Sequence, residues 1–255
     1  MLGYRVYGTG HEIVVVLHEW LGGDHTNWDS VLPFLDPDRA RYLLVDLRGY
    51  GLSRHLSGSY DLDEAGGDIL DLLDSFACKR FHIVCHSMTA LVGQWLAQSA
   101  LARVQGLFMI SPVPASGFKM DEAAFGRLLA AVDQDEAALA AISARTGSRY
   151  SNGWLKRKLA MARQSAVREA MVGYARMFTS SDISKAVAGL KLPVLVMTGR
   201  YDIPIYSDAS VRDHFGALYP NIRFFKCQEA GHYSMLEAPV ITASEIENFI
   251  ASVST

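Results

Sequence analysis

One serine lies at a point where a tight turn is expected, between an apolar segment and a helical one. Ser87 is the central residue of the pentapeptide CHSMT at 85–89, which follows the apolar run Phe81–Val84 and precedes a helical pattern that starts at Ala90. A strand, a sharp turn and a helix in this order lift a serine hydroxyl above the end of a sheet. They also direct the first N–H groups of the helix at the group that the serine attacks. The pattern predicts a nucleophilic serine.

The residues that flank this serine differ from the usual turn, which has glycine two positions before and two positions after the nucleophile. Cys85 and Thr89 occupy these positions. Cysteine is small, whereas threonine is β-branched and restricts the backbone. The pentapeptide alone fits a catalytic serine and an ordinary serine near a helix N-terminus equally well. The rest of the chain has to distinguish between the two.

A histidine and an aspartate follow two later predicted strands and complete a catalytic set. Asp202 follows the apolar run Val194–Met197, and His232 follows the run Arg223–Cys227. Catalytic groups gather in loops at the carboxyl ends of parallel strands. A serine nucleophile needs a base, and the base needs an acid that orients it. We therefore predict that Ser87, His232 and Asp202 are catalytic.

Four other carboxylates near the histidine are rivals of Asp202 in sequence, and we expect each to be solvated: Asp208, Asp213, Glu229 and Glu237. The loop after the strand Val104–Ile110 reads SPVPA at 111–115 and contains no carboxylate. Its composition favours Asp202 as the acid.

Short apolar runs alternate with helical patterns along the chain. The predicted strands are Tyr4–Tyr7, Ile13–Leu17, Tyr42–Val45, Phe81–Val84, Val104–Ile110, Val194–Met197 and Arg223–Cys227. The predicted helices are Asn27–Leu35, Leu62–Phe76, Ala90–Ala102, Ser207–Leu218 and Pro239–Val253. This alternation predicts an α/β fold with a doubly wound, mostly parallel sheet of about seven strands.

The interval 120–190 has no predicted strand and contains helical stretches at 122–141 and 155–177. We expect it to form a helical lid, inserted after the strand Val104–Ile110, over a core made of residues 1–119 and 191–255. A lid in this place excludes water and shapes a substrate pocket.

Composition narrows the classes of partner. The net charge is −3 and no basic stripe or long Lys/Arg run argues for nucleic acid, so we expect no nucleic-acid partner. The early apolar run Ile13–Leu17 is too short for a membrane span, and the N-terminus lacks signal-peptide features. Three widely spaced cysteines predict a reducing, cytoplasmic setting. We expect a small-molecule substrate and no membrane association. The sequence does not indicate an oligomeric state.

Motifs for metals and cofactors are incomplete. The segment that begins at His18-Glu19 has Gly22 where the metalloprotease motif requires a second histidine. The segment that begins at Gly8 has Ile13 where a dinucleotide fingerprint requires its third glycine. We predict no cofactor and no metal.

Four motifs together resemble the α/β-hydrolase superfamily over nearly the whole chain. They are LHEW at 17–20, DLRGYGLS at 46–53, the turn around Ser87, and GH at 231–232 followed by MLEAP at 235–239. The chain order Ser, Asp, His is also that of the superfamily. The resemblance implies an oxyanion hole built from the backbone N–H groups of Met88 and Trp20. It further implies that His18 and His86 are structural.

Glu19 occupies the position where the superfamily usually has glycine, and it brings a negative charge near a site for an anion. The candidates for the substrate pocket are Glu19, Trp20, Trp28, Phe118, Trp154 and Tyr233, with core packing as the alternative for the aromatic residues. An aromatic wall favours a substrate with a ring or a sizeable apolar part.

The leading interpretation is a carboxylesterase-like serine hydrolase that cleaves an ester or related acyl bond of a small, partly aromatic substrate through an acyl-enzyme. Two alternatives remain open at this level. Some superfamily members cleave carbon–carbon bonds or oxygenate rings without a cofactor, although the oxygenating members carry the acid one strand earlier. Others are small-molecule receptors with slow turnover. Fold alone does not choose among these activities.

Overall fold

The computed structural model describes residues 1–253, whose centre is an open seven-stranded sheet. The strands are β1 Tyr4–Tyr7, β2 Glu12–Leu17, β3 Ala40–Val45, β4 Phe81–His86, β5 Val104–Ile110, β6 Val194–Gly199 and β7 Ile222–Cys227. Their spatial order is β1-β3-β2-β4-β5-β6-β7, with β1 antiparallel to β3 and every other pair parallel. The predicted doubly wound α/β fold is confirmed.

Helices cover both faces of the sheet and its carboxyl edge. They are α1 Leu62–Ser75, α2 Thr89–Ser99, α3 Glu122–Asp133, α4 Asp135–Arg145, α5 Asn152–Ser165, α6 Arg168–Ser180, α7 Ser184–Val187, α8 Asp208–Phe215, α9 Ser234–Glu237 and α10 Pro239–Val253. The central strands β4 and β6 are buried along their whole length, as expected for parallel strands covered on both faces. Helix α1 begins where the sequence predicts, because the Asp61 carboxylate accepts the Glu64 N–H at 2.8 Å.

Helices α3 to α7 lie between β5 and β6 and form the helical insertion. Each long predicted stretch is divided in two. Gln134 is extended between α3 and α4, and Ala166 is extended between α5 and α6. Ala166 forms a β-bridge with Tyr50, and the Val167 N–H donates to the Gly49 carbonyl at 2.9 Å. The second break therefore attaches the insertion to the core.

The helix predicted for Asn27–Leu35 is wrong. This segment forms two 3-10 turns, His25–Trp28 and Leu32–Phe34. Pro33 explains the difference, because it has no N–H for an i to i−4 hydrogen bond and disfavours helical geometry at the residue before it. Elsewhere in the described chain, no helix is both long and apolar enough to cross a membrane.

Candidate active site

The turn after β4 holds Ser87 in a strained conformation. Its φ is +56°, in the left-handed region that residues with a side chain adopt only when their surroundings enforce it. The Ser87 N–H donates to the Ile110 carbonyl of β5 at 2.9 Å, and the Val113 N–H donates to the Ser87 carbonyl at 3.1 Å. The next strand and its loop therefore fix the turn from one side.

Thr89 and Cys85 fit the turn without the usual glycines. The Thr89 hydroxyl donates to the His18 carbonyl at 2.7 Å and accepts the His86 N–H at 3.2 Å, so it links the turn to the loop after β2. The Cys85 thiol packs under α2 against Gly93, where an added Cβ would stand only 2.7 Å from the sulfur. The Cys85 side chain fits beside the serine because Gly93 in the following helix has no side chain to collide with the thiol.

The fold brings Ser87, His232 and Asp202 together. His232 Nε2 lies 3.0 Å from the Ser87 hydroxyl oxygen, and His232 Nδ1 lies 2.7 Å from an Asp202 carboxylate oxygen. The same carboxylate oxygen accepts the Ser111 hydroxyl at 2.9 Å, and the other accepts the Ile203 N–H at 2.8 Å. The loop after β5 has no carboxylate of its own. It supplies the Ser111 hydroxyl, which orients the Asp202 carboxylate from the loop after β6.

Burial sets the protonation of this cluster. Burial lowers the pKa of His232 well below its ordinary value, so the imidazole is neutral and Nε2 is free to accept a proton from Ser87. Burial also raises the pKa of Asp202, to about 7, against the opposing effects of Arg145 and of the hydrogen bonds from Ile203 and Ser111. Because the two groups lie 2.7 Å apart, the protonation of one affects the other.

The loop that carries His232 is held by a buried carboxylate. Glu237 accepts the Gly231 N–H and the Tyr233 N–H, both at 2.9 Å, and its side chain is fully buried in an ion pair with Arg149 at 2.5 Å. The prediction of a solvated Glu237 is therefore wrong. Glu237 stands four residues after Tyr233, which immediately precedes α9. This spacing, which lets the carboxylate reach back to the Tyr233 N–H, is the signal that the sequence offered.

The helical insertion also contacts this loop. The His232 N–H donates to the Arg145 carbonyl at the end of α4, at 2.8 Å. A Cβ on Gly231 would stand 2.3 Å from that same carbonyl oxygen, so only glycine allows this approach. The insertion and the histidine loop are therefore in backbone contact.

Tyr206 is a site residue that the sequence did not reveal. Its hydroxyl lies 3.4 Å from the Ser87 hydroxyl oxygen, and its ring lies 4.5 Å from the His232 ring. Burial raises the pKa of Tyr206 to about 12, so the phenol stays protonated and can donate a hydrogen bond. Its position four residues after Asp202 in a 3-10 turn was the available signal.

Two residues of the cavity beside Ser87 have backbone N–H groups without a hydrogen-bond partner in residues 1–253. Trp20 and Met88 both line the cavity beside Ser87, and within residues 1–253 neither N–H makes a hydrogen bond. Around Trp20 the loop is fixed, because its indole N–H donates to the Met171 carbonyl at 2.7 Å and its carbonyl accepts the Tyr50 hydroxyl at 2.9 Å. The arrangement leaves both donors available for an oxygen of a ligand.

The charge of Glu19 is balanced by a lysine from the insertion. Lys158 of α5 forms an ion pair with the Glu19 carboxylate, and both side chains are almost fully buried. The ammonium group also donates to the Gly22 carbonyl at 2.9 Å and lies 4.7 Å from the Tyr233 ring centroid. Burial raises the pKa of Glu19 and Lys158 opposes this effect.

A small cavity of about 30 Å³ adjoins Ser87. Its wall is mainly apolar and aromatic, and it consists of Glu19, Trp20, Leu21, Ser87, Met88, Val113, Phe118, Met120, Leu128, Arg145, Phe178, Ile205, Tyr206 and His232. The predicted pocket residues Glu19, Trp20 and Phe118 belong to it. Trp154 lines a separate surface groove, and Tyr233 packs between the His232 ring and Trp154.

The remaining polar residues of the quoted motifs brace loops below the site. His18 accepts the Leu47 N–H at 3.1 Å, and Asp46 accepts the N–H groups of His25 and Leu52 at 2.6 and 2.7 Å. His86 binds the His232 carbonyl through Nε2 at 2.8 Å. Across the part of the chain that the structure describes, no group of three or more His, Cys, Asp or Glu side chains is arranged to hold a metal ion.

Comparison with known protein families identifies the family of the chain. The family model described as "Alpha/beta hydrolase family" matches residues 14–245, and the chain belongs to this family. It is a hydrolase, and the resemblance seen in its motifs is confirmed.

The proteins that the chain resembles include several bacterial enzymes. The chain is 24% identical over 260 residues to 3-oxoadipate enol-lactonase 1 of Acinetobacter baylyi, covering 99% of this chain and 94% of the relative. Among solved structures, the enol-lactonase from Burkholderia xenovorans is 25% identical with a TM-score of 0.81, covering 98% of this chain and 96% of that one. A hydrolase from Pseudomonas aeruginosa is also 25% identical with a TM-score of 0.79, covering 98% and 94%.

Proposed function

We propose that the protein is a serine hydrolase that cleaves an ester, including a cyclic ester, or a related acyl bond of a small molecule. The observation that carries the proposal is the continuous path from the Ser87 hydroxyl to His232 at 3.0 Å and from His232 to Asp202 at 2.7 Å. The names of the relatives include enol-lactonases, whose substrates contain the same kind of bond, and this supports the proposal.

The reaction follows from the geometry of the cluster. Neutral His232 takes the Ser87 proton as the hydroxyl oxygen attacks the acyl carbon, and Asp202 stabilises the imidazolium that forms. The imidazolium then protonates the leaving oxygen, which produces an acyl-enzyme. His232 next takes a proton from a water molecule, whose oxygen attacks the acyl carbon. The bond from the acyl carbon to the Ser87 oxygen then breaks, His232 returns the proton to that oxygen, and the acid leaves.

The tetrahedral oxygen needs donors that are in place before the reaction. The free N–H groups of Trp20 and Met88 supply two of them, and one such donor contributes about 2.7–4 kcal/mol to transition-state stability. The protonated Tyr206 hydroxyl, 3.4 Å from the Ser87 oxygen, is a third polar group on this side. Its role in this scheme is to orient the serine hydroxyl.

The helical insertion at 120–190 acts in this proposal as a lid over a core of residues 1–119 and 191–255. Small-molecule sites usually measure about 300–1,000 Å³. The cavity beside Ser87 measures only about 30 Å³, so in this proposal the helices above it move when the substrate enters. The aromatic wall favours a partly aromatic or apolar acyl or alcohol group.

A fluorophosphonate probe tests for the activated serine. We expect covalent labelling at Ser87, located by peptide mass spectrometry, because the probe needs both a deprotonating histidine and an oxyanion site. Protein with His232→Ala should label far more slowly, and heat-denatured protein should not label. Native protein that stays unlabelled, although its far-ultraviolet circular dichroism shows the fold, would contradict the acyl-enzyme mechanism.

The pH dependence of hydrolysis should reflect the protonation of Asp202, which is hydrogen-bonded to His232. As the pH falls through about 7, the pair gains a proton, because burial raises the pKa of Asp202 to about 7. A proton on either group disables the base or its ionised partner. We expect kcat/KM to fall on the acidic side with an apparent pKa near 7, measured with a substrate that does not titrate.

The Ser111→Ala variant sharpens this prediction. It removes a hydrogen bond that favours the ionised Asp202, so the acidic limb should move to higher pH by about 1–2 units, the equivalent of about 1.5–3 kcal/mol. Ser116→Ala, in the same loop but with its hydroxyl on the Gly117 carbonyl, is the control. An unchanged profile in the Ser111 variant would show that this carboxylate does not set the limb.

A further inference from the structure

The insertion places an arginine in the wall of the cavity that contains the nucleophile. Arg145 is the last residue of α4 and lines the same cavity as Ser87 and His232. Its backbone is anchored, because its carbonyl accepts the His232 N–H at 2.8 Å. The backbone of this cationic residue is thus fixed against the histidine loop.

The guanidinium of this arginine lacks an acidic partner. Among the ion pairs within 4.0 Å in residues 1–253, Lys158 pairs with Glu19 and Arg149 pairs with Glu237, but none includes Arg145. Its one side-chain hydrogen bond in this part of the chain runs from Nη1 to the Ala141 carbonyl, at 3.2 Å. Four of the five N–H donors of this guanidinium therefore make no hydrogen bond within residues 1–253.

The nearby carboxylates are already engaged. Asp202 uses one oxygen on His232 and Ser111 and the other on the Ile203 N–H, and Glu19 is held by Lys158. The rest of the wall is mostly apolar or aromatic, so water competes weakly there. A cation in such surroundings favours an anionic ligand, and the planar fork of arginine matches the two oxygens of a carboxylate.

We infer that Arg145 binds a carboxylate of the substrate, so that the site selects anionic esters or lactones over neutral ones of the same length. Calling this ligand a substrate rests on the proposed function. Binding of an anion by Arg145 does not depend on turnover. A neutral ester leaves the guanidinium without a partner inside the cavity, and this loss reduces its kcat/KM.

Two esters with the same leaving group and the same six-carbon acyl chain provide the test: 4-nitrophenyl hydrogen adipate and 4-nitrophenyl hexanoate. In the wild-type protein we expect kcat/KM to be about 10- to 150-fold higher for the anionic ester, the range given by one charge-assisted hydrogen-bonded contact. Arg145→Met should bring the ratio close to one, mainly through a higher KM for the anionic ester. Arg145→Lys keeps the charge and should retain part of the preference.

Arg127→Met is the matched control, because Arg127 is an exposed arginine of α3 outside the cavity wall. It should leave the ratio as in the wild type. If Arg145→Met lowers kcat/KM for both esters by the same factor, the residue is structural and the inference is overturned. An equal change of the ratio in the Arg127 variant would also overturn it, since the effect would then come from net charge.

A binding measurement separates this inference from the proposed function. Monomethyl adipate is titrated into the Ser87→Ala protein, with and without Arg145→Met, by isothermal titration calorimetry. We expect at least a tenfold loss of affinity when Arg145 is replaced. Arg145-dependent binding in a wild-type protein that hydrolyses neither ester would reject the proposed function and keep the anion site. Hydrolysis without any dependence on substrate charge or on Arg145 would do the opposite.

Discussion

Replacing Ser87 by alanine is expected to lower kcat for ester hydrolysis by a factor of about 10⁶, the size of effect seen when the serine of a comparable triad is removed. The reason is chemical, because the variant has no oxygen to form the acyl-enzyme. Residual activity would come from the N–H donors of Trp20 and Met88 and from substrate binding alone.

The fold should survive this change. Ser87 is small and its hydroxyl makes polar contacts only within the site, to His232 at 3.0 Å and to Tyr206 at 3.4 Å. Alanine, like serine, has a single Cβ, so the substitution adds no steric strain at the left-handed φ of +56°. We expect the midpoint of urea unfolding to stay close to that of the wild type.

The measurement is steady-state hydrolysis with Ser165→Ala as the control. Ser165 is a buried serine of α5 whose hydroxyl contacts the Ala162 carbonyl away from the cavity. The double variant Ser87→Ala/His232→Ala should be about as slow as Ser87→Ala, because the two groups act as a unit. A Ser87→Ala protein that retains wild-type turnover would rule out a serine nucleophile and turn attention to chemistry in which His232 acts alone.

The second large effect concerns stability and involves the lysine of α5. Lys158→Met is expected to lower the free energy of unfolding by about 3–5 kcal/mol at neutral pH, because it leaves the Glu19 carboxylate buried without its counter-charge. The loss also breaks the contact to the Gly22 carbonyl that ties α5 to the loop after β2. Urea denaturation followed by tryptophan fluorescence measures the change.

The pH dependence of this destabilisation has a defined sign. Burial raises the folded-state pKa of Glu19 above its unfolded value, and removal of Lys158 raises it further. A group of this kind binds its proton more tightly in the folded state, so its contribution is retained at low pH and is lost as the pH rises. The Lys158→Met protein should therefore be less destabilised near pH 5 than near pH 8.

Two further variants complete the test. Lys158→Met/Glu19→Gln removes both charges and should recover much of the lost stability. Lys156→Met removes an exposed positive charge from the same helix and should change the free energy of unfolding by less than about 0.5 kcal/mol. A Lys158→Met protein as stable as the wild type at pH 8 would mean that Glu19 is solvated or protonated instead of paired.

Several features of the fold could be predicted from local sequence because they depend on local preferences. The seven strands are short runs of β-favouring residues, several of them continuously apolar, and the structure places each within two residues of its predicted bounds. The cap of α1 depends on Asp61 and Glu64, three positions apart. The exception is the segment 27–35, where Pro33 divides an apparently helical pattern into two 3-10 turns.

The interior of the insertion could not be predicted at the same level. Its alanine-rich stretches have high helix propensity throughout, so nothing local marks the breaks at Gln134 and Ala166. Ala166 is extended because it pairs with Tyr50, more than a hundred residues away in sequence. Tertiary contact overrides propensity at this position.

The sequence by itself determined the fold class and the approach of Ser87, His232 and Asp202. Each follows a strand, and the carboxyl ends of parallel strands necessarily meet at one edge of the sheet. Only the tertiary structure decided how the site is charged and supported. Lys158 neutralises Glu19 across 139 positions, and Glu237 is buried under the histidine loop. Arg145 lines the cavity wall without an ion pair within residues 1–253. These outcomes depend on how the helical insertion packs on the core. The state of each charge is set by its burial and by partners that are distant in sequence, and no local pattern encodes either.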